Sequence, residues 1–251
     1  MRGILLLGIV ALAASLLVRG GRRGLEELCL GLILHAGVVM VLATLLAWAG
    51  WFSSLSLGLA CLLAAGLAWL LPAPAVAETA NEQGGSRWGW ALAILMLLGI
   101  GLRLPAIEAP LAGRDQGTYA LRAKLTARTG TLGWTDEVLA EAGRDRAEDG
   151  DAPGPYDMLG LYPRNEDPWR EGEYEGAYRP GSYLADRDRG EVVAQFFHLH
   201  PMALAVGELL AGTRGQGGVL LWMGALWLLT FACCARRLWP RGNWFVLGLG
   251  L

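Results

Sequence analysis

Leu28–Ala49 reads LCLGLILHAGVVMVLATLLAWA, an apolar run that carries no formal charge with its one histidine neutral. About 20 residues of helix cross the ~30 Å hydrocarbon layer of a bilayer, so this run is long enough to span one. Trp48, Trp51 and Phe52 close it with the aromatic side chains that settle at a headgroup interface. Runs of the same character flank it. Ile4–Val18 precedes it and ends in Arg19, Arg22 and Arg23, whereas Leu55–Leu71 follows it and stops at Pro72 and Pro74. A signal peptide carries its charge ahead of the apolar stretch. Ile4–Val18 has the heavier charge behind it and therefore predicts a retained span.

Further along, Trp88–Leu104 predicts a fourth span after a linker, 72–87, rich in Pro, Ala, Gly and polar residues. Val219–Ala235 predicts a fifth, ending in Arg236, Arg237 and Arg241. Asn243–Leu251 opens a partial sixth, the pattern expected of a C-terminally truncated fragment of a longer polytopic protein. Pro201–Ala211 is apolar but too short to span, which predicts an interfacial or re-entrant helix.

Composition agrees with this reading. The chain is 54% hydrophobic and 18% charged, with a mean hydropathy of +0.38, against about 25% charge in an ordinary soluble domain. Its charge is also segregated. Of 23 acidic and 21 basic residues, 18 and 11 fall between Pro105 and His200, so that stretch is near −7 and the remainder near +5. Basic residues flanking spans stay on the cytoplasmic side. Both arginine clusters then lie inside if the spans alternate from the first cluster, and 105–200 is exported. The expected fold class is an all-α membrane protein with about five transmembrane helices and a partial sixth. Its organisation is three N-terminal spans (1–71), a cytoplasmic linker (72–87), a first core span (88–104), an extracytoplasmic acidic loop of short helix and coil (105–200), and an interfacial helix with the spans that follow it (201–251).

Cys29, Cys61, Cys233 and Cys234 all sit in apolar runs, so they read as small buried hydrophobes and the loop carries no disulfide. The interior of the loop, with runs such as Gly143–Asp151 (GRDRAEDGD), reads as a solvated excursion without the spacing of a calcium loop. Its two ends are different. Near the start stands Ala112–Tyr119 (AGRDQGTY), then a short helix expected over Ala120–Thr129. Near the finish stand Asp186 and Phe196–Pro201 (FFHLHP), whose His198 and His200 would share a face on a strand. Asp115 close to the membrane surface is a carboxylate of the kind that serves as a general base. The same residue is also an ordinary turn former or helix cap. His35, inside the second apolar run, reads as a packing contact with a neighbouring span's backbone.

The order of these motifs resembles the GT-C class of multi-spanning bacterial glycosyltransferases, the class of the protein O-mannosyltransferases and the lipid A aminoarabinose transferase. Three elements carry the resemblance: Arg103–Pro105 (RLP) closing a span, Gly113–Tyr119 (GRDQGTY) followed by Thr129–Leu132 (TGTL), and Phe196–Pro201 opening a helix. The resemblance implies an inverting transfer of a hexosyl or pentosyl unit from a polyprenyl-phosphate donor to a glycan, lipid or protein acceptor outside the bacterial plasma membrane. It implies Asp115 as catalytic base and Arg103, Arg114, Tyr119 and Lys124 as donor-binding residues. His198, His200 and Asp186 would then be ligands to a divalent metal ion. A non-catalytic scaffold or assembly subunit with an exported acidic loop is the alternative. A transporter is disfavoured by spans almost free of ionisable residues, and nucleic-acid binding by the lack of a basic patch interleaved with aromatics.

Overall fold

The computed structural model describes residues 1–19, 25–71, 98–99, 101, 114–141, 182–186, 189–194 and 198–238. The expected span Trp88–Leu104, the linker 72–87, the interior of the acidic loop and the run Asn243–Leu251 lie mostly or wholly outside these residues. What is described is predominantly helical: α1 (Arg2–Arg19), α2 (Leu25–Trp48), α3 (Ser54–Leu70), α4 (Arg114–Thr129), α5 (Leu199–Ala211) and α6 (Thr213–Leu238). The all-α expectation is corrected by a small antiparallel sheet, β1 (Trp134–Thr135), β2 (Ser182–Asp186) and β3 (Glu191–Ala194), in the order β1-β3-β2.

Among the described residues, two helices are long and apolar enough to cross a membrane, within Glu26–Trp48 and Thr213–Cys234. α1 and α3 are shorter apolar helices. Their outer surfaces are as informative as their lengths. Leu30 on α2 and Leu63 on α3 leave 61% and 66% of their surface uncovered, and Trp227 on α6 leaves 51%. Burying a leucine is worth about 1.5–3 kcal/mol relative to leaving it in water. A soluble helix puts polar residues on such a face, and these helices put more leucine and valine there.

The chain divides into two compact units. In the first, α1 and α3 pack along a seam of Leu5, Gly8 and Leu12 against Leu57, Gly58 and Cys61, all buried. A Cβ on Gly58 would lie 2.7 Å from the Ile4 carbonyl oxygen, and one on Gly8 would meet the Gly58 carbonyl. Backbone therefore touches backbone, the close approach that small residues allow between helices. Polar side chains in this unit find local partners. Trp69 Nε1–H donates to Ser15 Oγ at 3.1 Å, and His35 Nε2 bonds the Ile9 carbonyl at 3.1 Å, the backbone contact expected of His35. Cys29 on α2 meets Thr230 on α6 at 3.4 Å and packs with Leu229, Ala232 and Cys233. Three of the four cysteines are buried and Cys234 is exposed.

In the second unit, glycines set the ends of helices. Gly50 (φ +76°) closes α2, with Trp51 N–H on Leu46 C=O and Gly50 N–H on Ala47 C=O, the paired bonds that satisfy a helix's last carbonyls. The chain then inserts Phe52, 2% exposed, and its N–H donates to Gly130 C=O at 3.2 Å. Gly130 (φ +78°) ends α4 in the same left-handed manner, its N–H on Thr126 C=O. The α2–α3 turn thus rests on the C-terminus of α4. The sheet follows: Trp134 pairs with Val192 and Leu184 with Val192 from the other side. Asp136 Oδ1 accepts the N–H of Val138 and Leu139, capping the short helix at 137–141, and Asp136 N–H donates to Gly190 C=O.

Candidate active site

α4 carries the site because of its spacing. Asp115, Tyr119, Arg122 and Thr126 stand at i, i+4, i+7 and i+11, the positions that recur along one helical face. Arg122 and Thr126 are buried, 2% and 3% exposed, whereas Lys124 and Arg128 are exposed. α4 begins at Arg114, six residues before the expected Ala120, so Asp115 occupies its first turn. The side chains of Arg114 and Asp115, and all of Arg103, lie outside the described residues.

The far end of the loop reaches this face. His198 is not on a strand with His200; it is the residue before α5, and its carbonyl accepts the N–H of Met202 as the first bond of that helix. Pro201 suits the first turn, where a missing N–H leaves no bond unmade. The helix entry sends the two histidines to different partners. Arg122 Nη2 donates to His198 Nδ1, across 76 residues of sequence. The His200 ring meets Tyr119 edge-on, with centroids 5.2 Å apart and planes at 80°. The two ends of the loop therefore meet.

The electrostatics follow from this geometry. Burial lowers the Arg122 guanidinium from its usual value and the neighbouring Tyr119 raises it; arginine stays cationic in either case. A guanidinium only donates, so the His198 nitrogen facing it must offer a lone pair. His198 is then neutral, with its proton on Nε2. Loss of water around part of its ring, then the Arg122 charge, hold it below the ordinary imidazole value, and burial does the same for His200.

A pH dependence follows, and its sign is fixed. Both histidines take up protons less readily in the fold than in the unfolded chain, so their stabilising contribution is complete above about pH 6.5, the unperturbed value. It is lost as pH falls through that value toward the folded ones. Thermal unfolding in detergent should come at lower temperature at pH 5 than at pH 7.5. The difference should shrink in a His198→Asn, His200→Asn double variant, and an unchanged difference would contradict the assignment.

The metal expectation fares differently. His198 turns one nitrogen to a cation and carries its proton on the other, leaving no lone pair for a second cation. A metal-bound histidine donates its remote N–H to an acceptor instead. Asp186 Oδ1 accepts the Arg189 N–H at 3.1 Å while Oδ2 faces Arg189 Nε at 3.6 Å, which makes it a turn former of the β2–β3 hairpin. Among the described residues no three His, Cys, Asp or Glu side chains converge as a metal site. Lys124, expected near the donor, lies exposed off the Tyr119–Arg122 face. Arg122, not singled out from the sequence, is the cation that the fold does place. Its signal was the i+3 spacing from Tyr119 and i+7 from Asp115, visible once α4 is started early enough. Comparison of the chain with known protein families, with curated proteins and with solved structures finds no match.

Proposed function

We propose that the chain is a polytopic membrane glycosyltransferase that moves a sugar from a polyprenyl-phosphate donor to an acceptor hydroxyl on the extracytoplasmic face. The observation that carries this reading is the meeting of the loop's two ends: Arg122 with His198 and Tyr119 with His200, beside the turn that holds Asp115. A lipid-linked donor keeps its tail in the bilayer and its phosphate at the surface, so its enzyme needs base and cation together beside the membrane. Asp115 takes the proton of the acceptor hydroxyl as that oxygen attacks the anomeric carbon. The bond to phosphate breaks on the opposite side, and Arg122 stabilises the charge left on the phosphate. Seven residues of helix rise about 10 Å. That is roughly the span from a base, through acceptor oxygen and anomeric carbon, to a cation on the leaving phosphate, with each hydrogen bond about 2.7–3 Å long.

Two contacts support the membrane topology. Cys29 follows the first arginine cluster, Cys233 precedes the second, and the two pack in one buried cluster. Both clusters then share the cytoplasmic side. Phe52, in the turn between α2 and α3, bonds Gly130 of the exported loop, as a turn on the outer side should. The test is labelling of single cysteines introduced into a chain with its four native cysteines replaced. Glu137→Cys reacts with an impermeant maleimide from outside in intact cells, and Leu71→Cys reacts only after the membrane is opened. The reverse pattern would remove the topology and the reading with it. Transfer itself is followed as release of polyprenyl phosphate from a labelled donor.

A further inference from the structure

Away from the loop, small polar side chains connect α2 to α6 inside the first unit. Thr230 and Cys233 stand at i and i+3 on α6, on one helical face, and Cys29 meets them from α2. The Thr230 hydroxyl donates to the Leu226 carbonyl at 2.8 Å, the bond by which a threonine satisfies itself inside a helix. A hydroxyl has one proton, so at the 3.4 Å contact it is the Cys29 thiol that donates to Thr230 Oγ1. The Cys29 sulfur keeps its lone pairs for the thiol of Cys233, to which it is also hydrogen-bonded. Two sulfurs from different helices are thus held side by side.

Their surroundings are selective. Cys29 and Cys233 are 4% and 9% exposed and pack with Leu229 and Ala232, whereas Cys234 is exposed. Cys29 lies four residues after the start of α2 at Leu25, and Cys233 five before the end of α6 at Leu238. At 1.5 Å per residue both are within about 8 Å of a helix end. Such a site is near enough to the end of the helices for a small uncharged oxidant and too closely packed for a bulky one.

We propose that Cys29 and Cys233 form a modification site, a dithiol that hydrogen peroxide converts to a disulfide joining α2 to α6, with Cys234 outside the bond. The Cys29 sulfur, its proton drawn toward Thr230, attacks one peroxide oxygen; the O–O bond breaks, leaving a sulfenic acid and one water. The Cys233 sulfur then displaces that oxygen as a second water. Two S–H bonds and one O–O bond are broken, one S–S bond is formed, and peroxide is the species reduced. The new bond is only ~2.0 Å long, and side chains already in hydrogen-bonding contact close to it by rotation. Nothing in this pair depends on sugar transfer.

The test uses the full chain in detergent with a protease site placed in the linker 72–87, which separates Cys29 and Cys61 from Cys233 and Cys234. After peroxide, blocking of remaining thiols and cleavage, the wild-type fragments should run as one band without reductant and as two with dithiothreitol. Cys29→Ser and Cys233→Ser should each lose the joined band. Cys61→Ser and Cys234→Ser should keep it, and these controls leave the buried pair intact. Before cleavage, the midpoint of unfolding by SDS should rise on oxidation in wild type and in Cys234→Ser. Separate fragments in oxidised wild type overturn the proposal. So does a joined band that survives Cys29→Ser or Cys233→Ser, one that is lost in Cys234→Ser, or a link found only between two copies of the chain.

Discussion

On the proposed reading, Asp115→Asn should stop sugar transfer while the protein remains folded and inserted. The substitution keeps the size and hydrogen-bonding shape of the side chain and removes its ability to take a proton. A general base in the transition state is worth about 10²–10⁴ in rate, so turnover should fall about a thousandfold if the acceptor hydroxyl depends on this carboxylate, equivalent to ~4 kcal/mol of barrier. The competing account makes Asp115 an acid in the first turn of α4, where it interacts favourably with the helix dipole. That role is worth only about 0.3–1 kcal/mol, and Asn in a first turn retains part of it. The two roles therefore differ by several-fold in energy and predict different things. A structural Asp115 gives a variant slightly less stable and fully active, and a catalytic one gives a variant equally stable and inactive. The measurement is release of polyprenyl phosphate from labelled donor by purified chain, alongside its elution profile. Wild-type turnover in a monodisperse variant returns the chain to the scaffold reading.

The long apolar helices were the most legible part of the sequence, because an uncharged run of about 20 residues declares a helix by length and composition alone. The run Leu28–Ala49 became α2 at Leu25–Trp48, with Glu26 and Glu27 added in the first turn, where acids suit a helix N-terminus. Inside the loop the same logic fails. β3 is only Glu191–Ala194, and one of its partners, β1, lies more than 50 residues away. Pairing at that distance leaves no periodicity in either segment. The expected start of α4 at Ala120 falls six residues late, since the helix begins at Arg114 and carries Gly117 as a buried position within it. That error concealed Arg122, whose relation to Asp115 exists only if one helix contains both. The histidines were read at strand spacing, whereas α5 begins at Leu199, between them, with the Met202 N–H on the His198 carbonyl, and only the fold shows that they face different partners.

One further substitution, made at two glycines, should move stability in opposite directions. Gly58→Ala places a methyl carbon 2.7 Å from the Ile4 carbonyl oxygen and 2.9 Å from the Leu5 nitrogen. Both are backbone atoms of a helix and cannot turn aside, so α1 must shift outward along the whole seam. In the proposed membrane setting no hydrophobic force presses the two apolar helices together, and their contact rests on packing. A gap of about 0.5–1 Å forfeits a quarter to a half of each contact's attraction. Overpacking of this kind costs about 1–3 kcal/mol, and the loss should extend to the Trp69–Ser15 hydrogen bond that spans the same pair of helices. Gly37→Ala, in the middle of α2, meets nothing within 4 Å. There the methyl group only removes the helix penalty of glycine, a gain of up to about 1 kcal/mol. The midpoint of unfolding by SDS in mixed micelles should therefore fall for Gly58→Ala and hold or rise for Gly37→Ala. Equal shifts in the two variants would mean that α1 and α3 do not meet backbone to backbone, and the seam would have to be redrawn.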